Sequence, residues 1–152
     1  MILCSLSLAF VSIIAEIACS APAFTTLCEL VVEAGLAEAL DTGTFTVFAP
    51  KNNAFTRIPP ILANELSNTD VLKNLLLFHT VADEEIFAED LVCDGQVTMT
   101  NLESTTTACD DDNNFFQFGG GNQPESLPRI VDADIVACNG VIHVVNEVLL
   151  PE

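Results

Sequence analysis

The chain has 152 residues, half of them apolar, and sets 22 acidic side chains against four basic ones for a formal charge of −18. That length supports one domain around one core, and the apolar share excludes an intrinsically disordered chain. A field this negative repels phosphate backbones and anionic lipid heads while attracting divalent cations and basic partners, so nucleic-acid and direct membrane-surface binding are excluded as expectations.

Residues 1–11 read as a short or truncated signal or leader segment, and 12–152 as the folded domain. Ile2 to Ala15 are apolar, but no Lys or Arg precedes the run and Glu16 interrupts it. Ala18-Cys19-Ser20 offers a small-residue cleavage site, yet cutting there would remove part of a helix-forming segment. No stretch reaches the roughly 18 to 20 uninterrupted apolar residues of a membrane span, and no hydrophobic tail follows Pro151 to signal a lipid anchor.

Ser12 is placed to cap a short helix carrying Ile13, Ile14 and Ile17, and Pro22 suits the first turn of another. Phe24, Leu27, Cys28 and Val31 then recur at helical spacing as one apolar stripe that Gly35 ends. Leu36 and Leu40 continue as a brief helical turn before Thr42-Gly43 reverses the chain. Phe45 to Phe48 read as a strand, which Pro50 stops because proline has no amide for a ladder. Asn52 and Asn53 are expected to cap a short helical turn. Pro59-Pro60 interrupts the chain, so helix resumes within Ile61 to Leu66 and again after Asn68 or Thr69. There Leu72, Leu75, Leu76 and His79 share one face, which turns His79 inward among leucines.

From Leu91 to Pro124 the composition shifts to threonine, the Asp110-Asp111-Asp112-Asn113-Asn114 run and Gly119-Gly120-Gly121. Two strand-like pieces, Val97 to Leu102 and Phe115 to Phe118, imply a mobile hairpin region stapled by cysteines. Arg129 to Ala137 and Val141 to Val148 form a closing hairpin around Asn139-Gly140, a pair that accepts positive φ cheaply.

Six cysteines without a CxxC pair argue for disulfides and an oxidising compartment. Cys93 and Cys109 flank one polar stretch, and their bridge would stabilise by about 3 kcal/mol in the chain-entropy model. Cys19 with Cys28 is the next pair. Cys138 is then left as a buried thiol, and Cys4 lies in the leader. A zinc site is disfavoured, because His79 and His143 are the only histidines and lack ligand spacing.

Three short patterns suggest chemistry. Asp41-Thr42-Gly43 matches the catalytic turn of aspartic proteases, but Ala34 to Leu40 read as helix and not as the buried strand such a turn needs. The Asp110 run begins like a calcium loop. Its sixth and twelfth positions hold Phe115 and Gly121 instead of the glycine and glutamate of an EF-hand, so only weak calcium binding by a flexible acidic loop stays open. His79 and His143 lack a nucleophile in motif context and read as satisfied structural groups.

TFTVFAPKNNAF (Thr44 to Phe55) and NGVIHVVNEVLLP (Asn139 to Pro151) resemble the two signature boxes of the fasciclin domain, an extracellular adhesion module. LLLFHTV (Leu75 to Val81) is similar to that family's Tyr-His motif, with Phe78 where tyrosine is usual. The resemblance covers about residues 12 to 151. It implies a single α+β fasciclin-like domain, a compact two-sheet β core with several short helices packed on one side, and an outer face, not a catalytic cavity, as the working part. It also implies a secreted or cell-surface, non-catalytic adhesion or matrix-binding role without a cofactor, toward an extracellular matrix or cell-surface protein or a polysaccharide. Asp134-Ile135 matches the family's Asp-Ile element for integrin recognition, and the Tyr-His likeness lends Leu77, Phe78 and His79 an adhesive reading. The alternatives are a secreted binding module for calcium, polysaccharide or a small apolar ligand, and, far behind, an aspartic-protease-like enzyme.

Overall fold

The two apolar boxes are neighbours in one sheet in the computed structural model, which describes residues 13–41 and 43–151. Strand β1 (Phe45–Pro50) runs parallel to β7 (Gly140–Val145), in register from Phe45 opposite Gly140 to Pro50 opposite Val145. Antiparallel β2 (Thr80–Ala82) and β6 (Ile130–Ala137) flank them in the order β2-β1-β7-β6. Every residue of β7 is buried, which its run of β-branched side chains suits. Val47, Ala49, Ile142 and Val144 face the helices, while Phe48 and Val145 turn the other way onto Phe78, Met99 and Leu149.

The helices are α1 (Ile14–Ser20), α2 (Thr25–Glu33), α3 (Ala37–Asp41), α4 (Asn52–Phe55), α5 (Pro60–Glu65) and α6 (Thr69–Leu77). In α2, Leu27 and Val31 are buried with Phe24 just before it. Gly35 ends the helix at φ +73°, with Gly35 N donating to Val32 O and Leu36 N to Val31 O, a Schellman motif. Asn68 caps α6, its Oδ1 accepting from Asp70 N and Val71 N. At α1, Glu16 reaches back to Ile13 N. The expected Ser12 cap, the 1–11 leader and Cys4 lie outside the described residues.

Two asparagines act differently from expectation. Asn52 does not cap its own short helix; its Oδ1 accepts from Thr26 N (2.9 Å) and its Nδ2 donates to Pro22 O (2.9 Å), so it caps α2 from a distance. Asn139 is not a positive-φ turn residue, because Ala137 pairs with Gly140 and the two-residue turn is Cys138-Asn139. Its buried side chain accepts from Ile14 N (2.9 Å) and donates to Leu40 O (2.6 Å) and Gly43 O (3.1 Å), joining α1, α3 and the entry to β1. Gly140 is needed for close approach: a Cβ there would collide with Phe45 O of the paired strand.

The region expected to be a mobile hairpin is a three-stranded antiparallel sheet, β3 (Gln96–Thr98), β4 (Ser104–Cys109) and β5 (Phe115–Phe118). β4 escapes a hydrophobic reading because its inward residues are Thr105 and Thr107. They are satisfied by Gln117, which accepts from Thr107 Oγ1 (2.6 Å) and donates to Thr105 Oγ1 (2.7 Å). The sheets join where Thr100 N donates to Thr80 O (2.8 Å). Cys19–Cys28 ties α1 to α2 and Cys93–Cys109 ties the approach to β3 onto the end of β4, as expected. Cys138 corrects the reading of a free thiol, for it too is disulfide-bonded.

His79 closes the core. Its Nδ1 donates to Leu75 O (2.8 Å) and its Nε2 accepts from Leu149 N (2.9 Å), so the neutral ring staples the end of α6 to the last apolar segment. Burial pushes its pKa down to about 4, against a smaller opposite pull from the Leu75 carbonyl. The unfolded chain therefore takes up a proton near pH 6.5 that the folded chain refuses until near pH 4. Its contribution to stability is fully present above pH 6.5 and falls by about 3 kcal/mol as pH drops to about 4.

Relief of acidic self-repulsion acts in the opposite sense, so the wild-type curve is best compared with His79→Gln. Urea unfolding from pH 7 to 4 should show a shallower acid loss in the variant, and parallel curves would contradict the assignment. Asn139→Ala should cost about 3 kcal/mol, because it strands three backbone groups, two buried and one partly buried. Asn139→Asp should cost at least as much at pH 7, since a second carboxylate oxygen would face two carbonyls; urea midpoints compare the two.

Candidate binding surface

Strand β6 is an edge of the larger sheet and is bent by register shifts between Ile130 and Asp132 and between Asp132 and Ile135. Asp134 sits in this irregular stretch at φ +60°, a conformation Asp tolerates better than most residues. Two bonds hold it there: its amide donates to His143 Nδ1 (3.2 Å), and its Oδ1 accepts from Ala88 N (2.8 Å). The second oxygen has no protein partner among the described residues, and the side chain is 45% exposed.

His143 is fully buried in β7 and stacked on Phe48, with ring centroids 5.4 Å apart. Its Nε2 donates to Ile86 O (2.6 Å). Burial lowers its pKa, opposed in part by the Ile86 carbonyl and the Asp134 charge. The ring is therefore neutral, and Asp134 Oδ1 at 4.0 Å is a neighbour, not an ion-pair partner. Thr46, also fully buried, donates to Glu84 O (2.7 Å) and accepts from Ile86 N (2.8 Å). Thr46, His143 and Asp134 thus suspend residues 84–88 along one side of the molecule.

The expected site residues are not brought together. Leu77, Phe78 and His79 lead into β2, at the opposite edge of the sheet from Asp134 and Ile135, and β1 and β7 intervene. Three strand spacings amount to about 14 Å. Phe78 is 1% and His79 3% exposed, so neither has surface to offer, and Leu77 is half-buried. Ile135 packs partly into the core beneath the helices. The aliphatic side chain exposed beside Asp134 is Val136, at 66%, which strand alternation from Asp134 could have indicated.

The acidic run is the β4–β5 turn. Asp110 Oδ1 accepts from Asp112 N (2.9 Å) and Asn114 N (3.0 Å), and its Oδ2 accepts from Asn114 Nδ2 (3.0 Å). The Asn114 side-chain amide, then its backbone N–H, holds this exposed carboxyl below its usual range. These bonds occupy lone pairs that a cation would need. Among the described residues no three His, Cys, Asp or Glu side chains converge as metal ligands. Asp41 ends helix α3, so it does not stand on the strand a protease turn requires.

The outer surface also carries an open cleft of about 470 Å³ between residues 84–92 and strand β3. Its lining includes Glu84, Glu85 and Asp90, Gln96 and Thr98 of β3, and the apolar Ile86, Leu91 and Val97. No motif announces it, because its walls come from a coil segment and a three-residue strand.

Among the described residues no single helix is long and apolar enough to cross a membrane. A search of known proteins finds 35% identity over 142 residues to protein sll1483 of Synechocystis, covering 91% of this chain and 73% of that one. The transforming growth factor-beta-induced protein ig-h3 of Sus scrofa is 33% identical over 131 residues, 85% of this chain but only 18% of the relative. Among solved structures, the FAS1 domain pair from the insect cell adhesion molecule Fasciclin I superposes with TM-score 0.74 at 17% identity, over 91% of this chain and 51% of that one, a likeness of fold alone. The family model of the fasciclin domain matches residues 22–151. The chain belongs to the fasciclin domain family.

Proposed function

We propose that this domain is a non-catalytic adhesive module working outside the cell, engaging a matrix or cell-surface protein through the exposed face of β6. The observation that carries this reading is the posture of Asp134. Its backbone holds a positive φ within strand β6, one carboxylate oxygen is committed to Ala88 N, and the other has no partner among the described residues. A carboxylate so oriented can complete the coordination of a cation held by a receptor, and exposed Val136 supplies an adjoining apolar anchor. Leu77, Phe78 and His79 serve as framework in this reading. Two disulfides among the described residues suit an oxidising exterior. Relatives named for a growth-factor-induced protein and a cell adhesion molecule support the same class of role.

Asp134→Asn isolates the charge, because asparagine keeps an acceptor for Ala88 N and tolerates the left-handed backbone. Beads coated with this variant should retain matrix-coated or cell surfaces at well under half the wild-type level, with an unchanged melting temperature. Retention equal to wild type would remove Asp134 from the surface. Asp134→Ala should lose retention too and also cost about 1–2 kcal/mol of stability, since alanine is disfavoured at positive φ.

A further inference from the structure

We infer that the cleft beside β3 is a docking groove for an extended segment of a basic partner protein, which adds to β3 as a fourth strand. Met99 N donates to Glu103 O and Thr107 N to Gly95 O, so the odd-numbered residues of this strand bond to β4. By the alternation of an antiparallel ladder, the N–H and C=O groups of Gln96 and Thr98 point away from β4. Both residues are exposed and line the cleft. The next outward amide, Thr100, already donates to Thr80 O, whereas those of Gln96 and Thr98 have no partner among the described residues. Of the other sheet edges, β2 is engaged through Thr80 O, β5 through Gln117 N and its bridge to Arg129, and β6 is blunted by its register shifts and by Asp132 and Asp134, the usual protections against strand addition. β3 is short, but it carries no bulge, proline or charged side chain.

The charge of the groove selects the occupant. Glu84, Glu85 and Asp90 line it and no basic residue does. The four cations of the chain are Lys51, Arg57, Lys73 and Arg129. Arg57 is engaged with Glu147 and Arg129 with Asn114. A second copy of this chain, itself at −18, would be repelled. An added strand sends alternate side chains to opposite faces. A segment of alternating basic and aliphatic residues therefore meets the carboxylates with one row and Ile86, Leu91 and exposed Val92 with the other.

The test is fluorescence anisotropy of a labelled eight-residue peptide of alternating lysine and valine against the full chain. Binding should be detectable below about 1 mM, weaken with salt, and weaken further in Glu84→Gln/Glu85→Gln. Thr98→Pro removes the outward amide without touching a bond to β4, and it should reduce affinity about tenfold with the circular dichroism unchanged. Should Thr98→Pro fail to fold, a peptide N-methylated at alternate backbone amides decides the matter, and it should bind about tenfold more weakly in one of its two registers. Equal binding by the methylated peptides, or by folded Thr98→Pro, would reduce the interaction to unspecific charge attraction and overturn the inference. So would no binding by the wild-type chain.

Discussion

Every residue of strand β7 is buried: both faces are covered and both edges are paired, with β1 on one side and β6 on the other. Each polar group on it must therefore find its partner inside the protein, since an unmet buried donor or acceptor costs more than a typical hydrogen bond contributes. Much of the rest of the fold answers that demand. His143, in the middle of the strand, can be accommodated only as a neutral ring with a donor on one nitrogen and an acceptor on the other, and Ile86 O and Asp134 N supply them. Asn139, at its entrance, spends its whole side chain on three backbone groups from segments far away in sequence.

The two buried histidines make opposite tautomeric choices for the same reason. His79 donates through Nδ1 to helix α6 and His143 through Nε2 to the 84–88 segment, each matching the carbonyl beside it. Burial lowers both pKa values, so neither is a proton carrier at neutral pH, and both read as mortar. The tautomers follow from the neighbours: an acceptor and an N–H flank each ring, which leaves one consistent placement of the proton.

What was legible in the sequence was legible because it obeyed simple periodicity or local chemistry. The α2 stripe, the Gly35 stop, the Asn68 cap and the apolar character of β1 and β7 are short-range patterns, and the structure carries them through unchanged. The family resemblance supplied the two-sheet core, whereas the parallel pairing of β1 with β7, about ninety residues apart, is something periodicity cannot give. Illegible features share a different cause. β4 looks like loop because its inward side chains are threonines, made acceptable only by Gln117 on the neighbouring strand. Asn52 and Asn139 sit where local rules assign a cap and a turn, yet tertiary partners use their side chains elsewhere. The cleft has walls from two segments with no regular pattern, so nothing in either predicts that they face each other.

The same three residues that suspend the 84–88 segment also relate the two surfaces. Thr46 and His143 hold Glu84 and Ile86 from within the core, while Asp134 holds Ala88 from outside. One side of this segment is therefore a wall of the cleft, and its far end fixes the carboxylate on β6. The buried anchors are two side chains of the central strands, which the packing of Phe48 against His143 keeps in place. A coil pinned from both sides in this way costs less entropy on binding than a free loop would. Exposed recognition groups can thus be carried on irregular backbone and still be preorganised, because the rigidity is borrowed from the fully buried strand behind them.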